Sequence, residues 1–322
     1  MVREESNAVE NIGVEDIRKI SKAIINEVGK VIVGKKEVIR NILIALLCKG
    51  HILLEGVPGV AKTELAKTFA VTLGCDFRRI QFTPDLLPSD IVGSVIFDQQ
   101  KAQFYLRKGP IFTNILLADE INRAPPKTQA ALLESMQEGQ VTIEGKTNPL
   151  TPPFMVLATQ NPLEQEGTYP LPEAQIDRFL FRLIVDYPDD TEEIEILIKK
   201  SAHSYSKVQT ITSPNIVLRL QENVSQIHID PSLLAYIKDI VIKTRNDPQI
   251  LLGASPRASI VLLNAAKALA AISGRDYVIP DDIKSMAFNC LNHRLILRPE
   301  IELEGMSVGR IIDKVLESIS VP

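Results

Sequence analysis

An eight-residue, glycine-containing segment, Gly56 to Thr63, carries the residue types that bind phosphate. Its sequence, GVPGVAKT, lies between the apolar segment HILLE and the helix-like segment TELAKTFA. Glycines allow backbone conformations that turn several N–H groups toward one anion, and a helix N-terminus adds partial positive charge. Lys62 can then reach the β- and γ-phosphates of ATP, and the Thr63 hydroxyl can bind Mg²⁺. The sequence therefore predicts a P-loop.

One position departs from the general pattern GxxxxGK[ST], because Ala61 stands where the last glycine is expected. We expect a negative φ at Ala61, immediately before the helical lysine, so that its methyl group is tolerated. The residues expected to contact nucleotide are Gly56, Val57, Pro58, Gly59, Val60, Ala61, Lys62, Thr63 and Glu64. The alternative is an ordinary strand–helix turn with a chance Lys-Thr pair.

Two carboxylates end the apolar segment ILLADE, Ile115 to Glu120. A buried carboxylate is costly unless it faces a cation or water. Asp119 suits a Mg²⁺ ligand, either directly or through a coordinated water. Glu120 can orient and polarise an attacking water as general base. Acidic strand ends are common, so this assignment depends on the P-loop that precedes it.

A polar residue, Asn161, ends another apolar segment, FMVLATQN. In a parallel sheet it emerges at the same carboxyl edge as Asp119, where ligands bind in such folds. Its amide can hold the γ-phosphate or the attacking water. The alternative is a turn former before Pro162.

Two arginines, Arg178 in PEAQIDRF and Arg257 in GASPRAS, complete the candidate catalytic set. An arginine delivered to the γ-phosphate stabilises transition-state charge, by roughly 10³-fold or more in rate. The alternative is a solvated charge. Arg178, for example, can pair with Glu173 or Asp177, a contact worth less than ~1 kcal/mol.

Strand-like and helix-like segments alternate around these motifs. Five segments are largely apolar and predict strands: HILLE, FRRIQFT, ILLADE, FMVLATQN and RFLFRLIVDY. The sequences between several of them are typical of helices. Continuous rather than alternating hydrophobicity indicates a parallel sheet covered on both faces, in an αβα arrangement. Residues 94–109 and 140–150 instead alternate around polar centres, which predicts two projecting hairpins, with surface loops as the alternative.

The pattern changes after Tyr187–Asp190, because the apolar residues then follow helical spacing almost throughout. Proline and carboxylates at Asp230-Pro231 and at residues 280–282 are typical of helix starts. We expect a nucleotide-binding α/β core over residues 1–187 and an all-α lid over residues 188–322.

Composition excludes several classes of protein. The chain has 322 residues, a net charge of −4 and no tryptophan, which disfavours a protein that mainly neutralises nucleic-acid phosphates. No apolar run approaches the roughly 20 residues that span a bilayer. The N-terminus has no apolar signal core. Three cysteines and four histidines are scattered and predict neither disulfides nor a metal cluster. We expect a cytoplasmic protein.

The order of these motifs resembles AAA+ ATPases, and within them the MoxR family. The likeness is nearly continuous from Val31 to His293 and includes the strings QFTPDLLPSDIVG, LLADEINRAPPKTQAALLESMQEGQVT, FMVLATQNPLEQEGTYPLPEAQIDRF and GASPRA. The family's own P-loop has the pattern GxxGxAKT, so Ala61 is no departure from it.

The resemblance implies a role for each candidate residue. It implies Walker A at Gly56–Thr63, Walker B at Ile115–Glu120, sensor 1 at Asn161, an arginine finger at Arg178 and sensor 2 at Arg257. Arg182 is a rival for the finger, and Arg123 is a candidate contact to a neighbouring subunit. The hairpins resemble the helix-2 insert and the pre-sensor-1 insert, which are expected to face a pore or a remodelled partner.

The family also implies a hexameric ring, stable or assembled on ATP, with Arg178 serving the neighbouring subunit's site. Members are similar to chaperone-like factors that mature protein complexes or insert cofactors, often with a partner that bears a von Willebrand factor A domain. Two alternatives stay open: a motor that remodels nucleic acids, and a P-loop kinase of small molecules.

Overall fold

The computed structural model describes residues 12–57, 59–161, 167–201 and 207–322. The strands are β1 (Ile52–Gly56), β2 (Phe77–Gln81), β3 (Gly93–Asp98), β4 (Gln103–Lys108), β5 (Ile115–Asp119), β6 (Gln140–Ile143), β7 (Lys146–Pro149), β8 (Met155–Gln160), β9 (Phe181–Val185), β10 (Ile250–Leu252) and β11 (Ile296–Leu297). The helices are α1 (Val14–Gly29), α2 (Lys36–Leu47), α3 (Lys62–Leu73), α4 (Pro88–Val92), α5 (Pro126–Glu138), α6 (Glu173–Ile176), α7 (Asp190–Ser201), α8 (Pro214–Ser225), α9 (Pro231–Asn246), α10 (Pro256–Ile272), α11 (Pro280–Leu291), α12 (Pro299–Leu303) and α13 (Val308–Glu317).

The central sheet contains all five predicted strands, paired in parallel in the order β2–β5–β8–β1–β9. Its three inner strands, β5, β8 and β1, are buried on both faces, which explains their continuous hydrophobicity. Ile115 and Leu117 of β5 belong to one hydrophobic cluster, and Leu116 and Ala118 belong to the cluster on the other face. The predicted αβα architecture is confirmed. Because the strands are parallel, β1, β5 and β8 all end at one edge of the sheet.

Both predicted hairpins are present. β3 pairs with β4 and β6 pairs with β7, each in antiparallel register. The first hairpin is anchored where Val95 and Leu106 pack against the core. Toward its tip the cross-strand neighbours Phe97 and Phe104 lie 5.0 Å apart between ring centroids and are exposed to solvent.

The region after β9 is mostly helical, as predicted. α9 begins at Pro231, where the Asp230 carboxylate accepts a hydrogen bond from the Ser232 N–H at 2.8 Å. α11 begins at Pro280, where the Asp282 carboxylate accepts one from the Ile279 N–H at 2.9 Å. The sequence did not predict the short antiparallel pair β10–β11, which lies within this region.

Two helices precede the sheet, and neither was predicted. α1 contacts α3 beside the P-loop and α10 in the C-terminal region, and α2 packs against α8, α10 and β9. One hydrophobic cluster consequently runs from the sheet through α1 and α2 into the C-terminal helices. Across the described parts of the chain, no helix has the length and hydrophobicity needed to cross a membrane.

Candidate nucleotide-binding site

The phosphate-binding segment connects the buried strand β1 to α3, as predicted. Gly56, the last residue of β1, is fixed by packing: a Cβ there would lie 2.2 Å from the Val185 carbonyl oxygen of β9. Gly59 has φ +87°, and no atom lies within 4 Å of the position its Cβ would take. The two glycines therefore serve different purposes, close strand packing and an open loop conformation. Pro58 lies outside the described residues.

The expected negative φ at Ala61 is wrong. Ala61 has φ 57° and ψ 26°, in the left-handed region, at the N-cap of α3. This conformation turns the chain from the loop into the helix, and the Ala61 carbonyl accepts the first helical hydrogen bond from the Leu65 N–H at 2.9 Å. A residue with a Cβ loses roughly 1–2 kcal/mol there, which gives a physical reason for glycine in the general P-loop pattern.

The Lys62 side chain lies inside the loop. Its Nζ donates a hydrogen bond to the Gly56 carbonyl oxygen at 2.6 Å. Burial lowers the pKa of Lys62, and the nearby carboxylates of Asp119, Glu120 and Glu55 oppose that shift. Thr63 is half-buried in the first turn of α3, and Glu64 is exposed. The first turn of a helix has N–H groups without intrahelical partners, so an anion here meets both an ammonium and free donors.

Asp119 ends β5 with both carboxylate oxygens engaged. Oδ1 accepts a hydrogen bond from the Thr159 hydroxyl at 2.5 Å. Oδ2 accepts from Arg79 of β2, with Nε at 3.0 Å and Nη2 at 2.7 Å. Asp119 is therefore held at the carboxyl edge by one neighbouring strand on each side.

Glu120 follows with φ 56°, a left-handed conformation that turns the chain out of β5 into a short 3-10 helix, Ile121–Arg123. Its Oε2 accepts a hydrogen bond from the Gln81 amide at 2.7 Å and lies 3.3 Å from Arg123 Nε. Its backbone N–H donates to the Thr159 hydroxyl at 2.8 Å. Arg123, a candidate contact to another subunit, thus also pairs with Glu120 of its own chain.

Asn161 is placed as expected, one residue after β8 ends, and only 7% of its surface is exposed. Thr159 bonds Asp119 directly from the same strand. The structure therefore brings the β8 end next to the two carboxylates.

The two finger candidates have different surroundings. Arg178 lies between α6 and β9, half-buried, and its Nη1 donates to the Leu133 carbonyl of α5 at 3.2 Å. Among the described residues Arg178 forms no ion pair with Glu173 or Asp177, and Asp177 instead binds two arginines of the C-terminal region. Arg182, within β9, forms an ion pair with Glu55 of β1. No hydrogen bond or ion pair joins Arg178 to Lys62, Asp119 or Glu120 in the part of the chain described.

Arg257 lies in the first turn of α10, exposed, with its Nη1 3.4 Å from Asp177 Oδ2. The Ser255 hydroxyl donates to the same oxygen at 3.2 Å. The buried Arg294 donates from Nε to Asp177 Oδ1 at 2.7 Å. Asp177, the residue before Arg178, is thus held by three side chains of the C-terminal region.

The same region also contacts the backbone that follows Arg178. Asn292 Nδ2 donates to the Arg182 carbonyl at 3.1 Å, and His293 Nε2 lies 3.2 Å from the Phe179 carbonyl oxygen. Arg294 donates to the carbonyls of Asp177 and Phe179 at 3.0 and 2.6 Å. The turn after α11 therefore fixes the chain from Asp177 to Arg182.

Sequence reasoning missed several of these residues, namely Arg79, Gln81, Thr159, Asp177 and Arg294. A signal existed for Gln81, which is a polar residue at the carboxyl end of β2. Because β2 and β5 are parallel, that end lies beside the carboxylates that end β5, and the register pairs Gln81 with Asp119. The polar pair Thr159–Gln160 at the end of a buried strand carried a similar signal. The partners of Asp177 are more than 70 residues away in the sequence, so no local pattern could indicate them.

The residues present fit a magnesium nucleotide. Thr63 and Asp119 offer hard oxygen ligands, which Mg²⁺ prefers, and Mg²⁺ usually keeps waters and shares phosphate oxygens rather than taking an all-protein cage. No group of three or more His, Cys, Asp or Glu side chains suited to a metal occurs among the residues described.

A parallel sheet in this order, a P-loop after β1, an acidic pair at the end of β5 and a helical region beyond define an AAA domain with its lid. Residues 51–181 match the model of the ATPase family associated with various cellular activities (AAA), and residues 242–315 match that of the AAA lid domain.

Similar proteins narrow the class. Chaperone MoxR1 of Mycobacterium tuberculosis is 45% identical over 95% of this chain and 83% of its own. Protein YeaC of Bacillus subtilis is 48% identical over 96% of this chain and 97% of its own. The crystal structure of a putative ATPase from Cytophaga hutchinsonii superposes with a TM-score of 0.90 at 49% identity, over 96% of this chain and 97% of that one. The chain belongs to the MoxR family of AAA ATPases.

Proposed function

We propose that this protein is a Mg²⁺-dependent ATPase whose turnover remodels or matures a protein partner. The observation that carries the proposal is the edge of the sheet where Lys62, Asp119 and Glu120 meet. There the Lys62 ammonium lies inside the P-loop, hydrogen-bonded to the Gly56 carbonyl, and both carboxylates at the end of β5 are held by their own partners. A core over residues 1–187 and a lid over residues 188–322 remain our proposed division.

Each residue has one task in this proposal. Lys62 and the amides of the loop bind the β- and γ-phosphates, while Thr63 and Asp119 hold Mg²⁺. The metal neutralises phosphate charge when bound. Glu120, beside the metal carboxylate, orients the attacking water and accepts its proton. Asn161 supports the γ-phosphate or that water from the end of β8.

The arginines divide between two subunits. Arg257 senses the nucleotide of its own chain from the lid. Arg178 reaches the site of the next subunit in a ring, which agrees with its lack of contacts to the P-loop lysine and acidic pair of its own chain within the described residues. Arg182 is the weaker finger candidate, because its guanidinium is already paired with Glu55 in the sheet. A hexamer is the proposed assembly, and light scattering with and without ATP tests whether it depends on nucleotide.

The partner is proposed to be a protein. One similar protein is named a chaperone. Membership of the AAA family also favours an oligomer that acts on another molecule. We propose a partner with a von Willebrand factor A domain, in addition to the client. A pull-down with the Glu120→Gln protein in ATP, followed by identification of the bound proteins, tests both.

Replacing Glu120 by Gln tests the catalytic assignment. The variant should bind ATP as the wild type does and lose at least about 10²-fold in turnover, since a positioned general base contributes roughly 10²–10⁴-fold. The matched control is Glu134→Gln, an equivalent change on the exposed side of α5, which should keep full turnover. Equal turnover of Glu120→Gln and wild type at equal binding would show that Glu120 is not the base.

A nucleic-acid motor is the second candidate, because one surface favours it. The β3–β4 hairpin combines the exposed pair Phe97–Phe104 with Lys101, Arg107 and Lys108, and bases stack on aromatic rings in such settings. Stimulation of ATP turnover by DNA at physiological salt would favour this candidate over a protein client. A small-molecule kinase would instead form a phosphorylated product besides ADP and phosphate.

A further inference from the structure

The candidate metal ligand Asp119 is already bound by a cation of its own chain. Arg79 approaches Asp119 Oδ2 with two nitrogens, at 3.0 and 2.7 Å, from the neighbouring edge strand β2. Thr159 occupies the other oxygen at 2.5 Å. A Mg²⁺ ion that binds Oδ2 must therefore share it with a guanidinium or displace it, and one that binds Oδ1 lies close to the same guanidinium.

We propose that Arg79 sets the magnesium requirement of the site by competing with Mg²⁺ for Asp119, an inference that rests on the proposed function. Two cations at one carboxylate repel each other, so the guanidinium weakens metal binding for as long as it stays near. Arg79 is consequently a positioning residue, which controls the carboxylate and does not touch the reacting atoms.

The surroundings allow Arg79 to give way. Its side chain is 45% exposed, whereas that of Asp119 is 15% exposed, so the guanidinium has access to solvent on one side. Its Nη2 also donates to Gln81 Oε1 at 2.5 Å. Gln81 therefore offers an acceptor that keeps Arg79 bound at the edge of β2 when Asp119 turns to a metal.

A purely structural ion pair would have a different signature. A half-exposed pair contributes little to stability because solvent screens it. If Asp119 also binds Mg²⁺, the pair of Arg79 with Asp119 changes the Mg²⁺ concentration that nucleotide binding requires. The two roles therefore separate when metal dependence and stability are measured in parallel.

The chain provides a matched control. Arg78 precedes Arg79 on β2, is exposed, and lies on the opposite face of the strand because successive side chains alternate. Its side chain forms no hydrogen bond or ion pair with the described residues. Arg78→Gln thus removes the same charge from the same strand without touching Asp119.

The experiment measures binding of a fluorescent ADP analogue to full-length protein across a Mg²⁺ titration and in EDTA. Arg79→Gln should lower the half-saturating Mg²⁺ concentration by about 3- to 10-fold, the effect of removing one partly screened charge near a divalent ion. Arg78→Gln and the charge-retaining Arg79→Lys should stay within about 2-fold of wild type. Melting temperatures of the three variants should agree.

Three results would overturn the proposal. An unchanged Mg²⁺ requirement in Arg79→Gln would show that Arg79 does not compete, and a raised one would show that it prepares Asp119 for the metal. An equal shift in Arg78→Gln would reveal a general charge effect. Failure of the wild type to bind nucleotide under any condition would instead refute the proposed function, and this proposal with it.

Discussion

Arg294 is a buried guanidinium whose loss should destabilise the junction between core and lid. Only 1% of its side chain is exposed, and its Nε forms an ion pair with Asp177 at 2.7 Å. Its other donors serve the carbonyls of Asp177, Phe179, Leu180 and Cys290. Arginine stays charged in proteins, so the pair is a buried ion pair with additional hydrogen bonds.

Replacing Arg294 by Met removes the charge and leaves these acceptors without their donor. Breaking a buried ion pair from one side costs about 3–5 kcal/mol. Ser255 and Arg257 still bind the other oxygen of Asp177, so we expect the lower end, about 3 kcal/mol. For a protein of this size that corresponds to a melting temperature roughly 4–5 °C lower. Arg294→Lys keeps the charge but not the planar fork, and should lose about half as much.

The assay is urea unfolding followed by circular dichroism, because the chain contains no tryptophan to serve as a fluorescent probe. Arg298→Met is the matched control, because the Arg298 side chain is exposed and donates to a single carbonyl, that of Pro248, at 2.9 Å. The control should change the free energy of unfolding by less than about 1 kcal/mol. If Arg294→Met cost no more than that control, the buried pair would not stabilise the junction.

Two further changes test single features of the core. Ala61→Gly should raise the free energy of unfolding by about 0.5–1 kcal/mol, because it relieves a left-handed alanine and part of that gain is offset by greater freedom in the unfolded chain; urea unfolding measures it, and a loss of stability would contradict it. Burial lowers the pKa of His51 to about 4 from 6.5, so the unfolded chain binds more protons between those values. The contribution of His51 to the free energy of unfolding is therefore complete above pH 6.5. It decreases by up to about 1.4 kcal/mol for each unit by which the pH falls below that value. His51→Gln should flatten that slope, and an unchanged slope would assign it to other groups.

The order of elements could be predicted because its signals are local. Buried parallel strands have continuous apolar runs, and the P-loop and the acidic pair are short motifs bound to strand ends. α1 could also have been predicted, since Ile17, Ile24 and Val28 recur on one helical face and are buried. The sequence had no equally clear signal for β10–β11, whose strands are three and two residues long and lie more than forty residues apart.

The details of the site depended on tertiary contacts. The negative φ expected at Ala61 followed from its place before a helix, but the loop geometry overrides that local preference. The role of Arg79 could not be predicted, because its partner Asp119 comes from a strand that is adjacent in the sheet and distant in the chain. The register of the paired strands, rather than the amino-acid composition of each strand, decides which side chains meet at the edge of the sheet.

The carboxylate of Asp177 has one more consequence. It binds Arg257 of the lid, and the next residue along the chain is Arg178, which points toward α5. Arg257 therefore cannot leave Asp177 without altering the electrostatic surroundings of the peptide that carries Arg178. With the roles proposed above for a head-to-tail ring, one ion pair and one peptide bond connect Arg257, which serves the subunit's own site, to Arg178, which serves the next. Coupling through this link is reciprocal, so a change at either arginine alters the surroundings of the other.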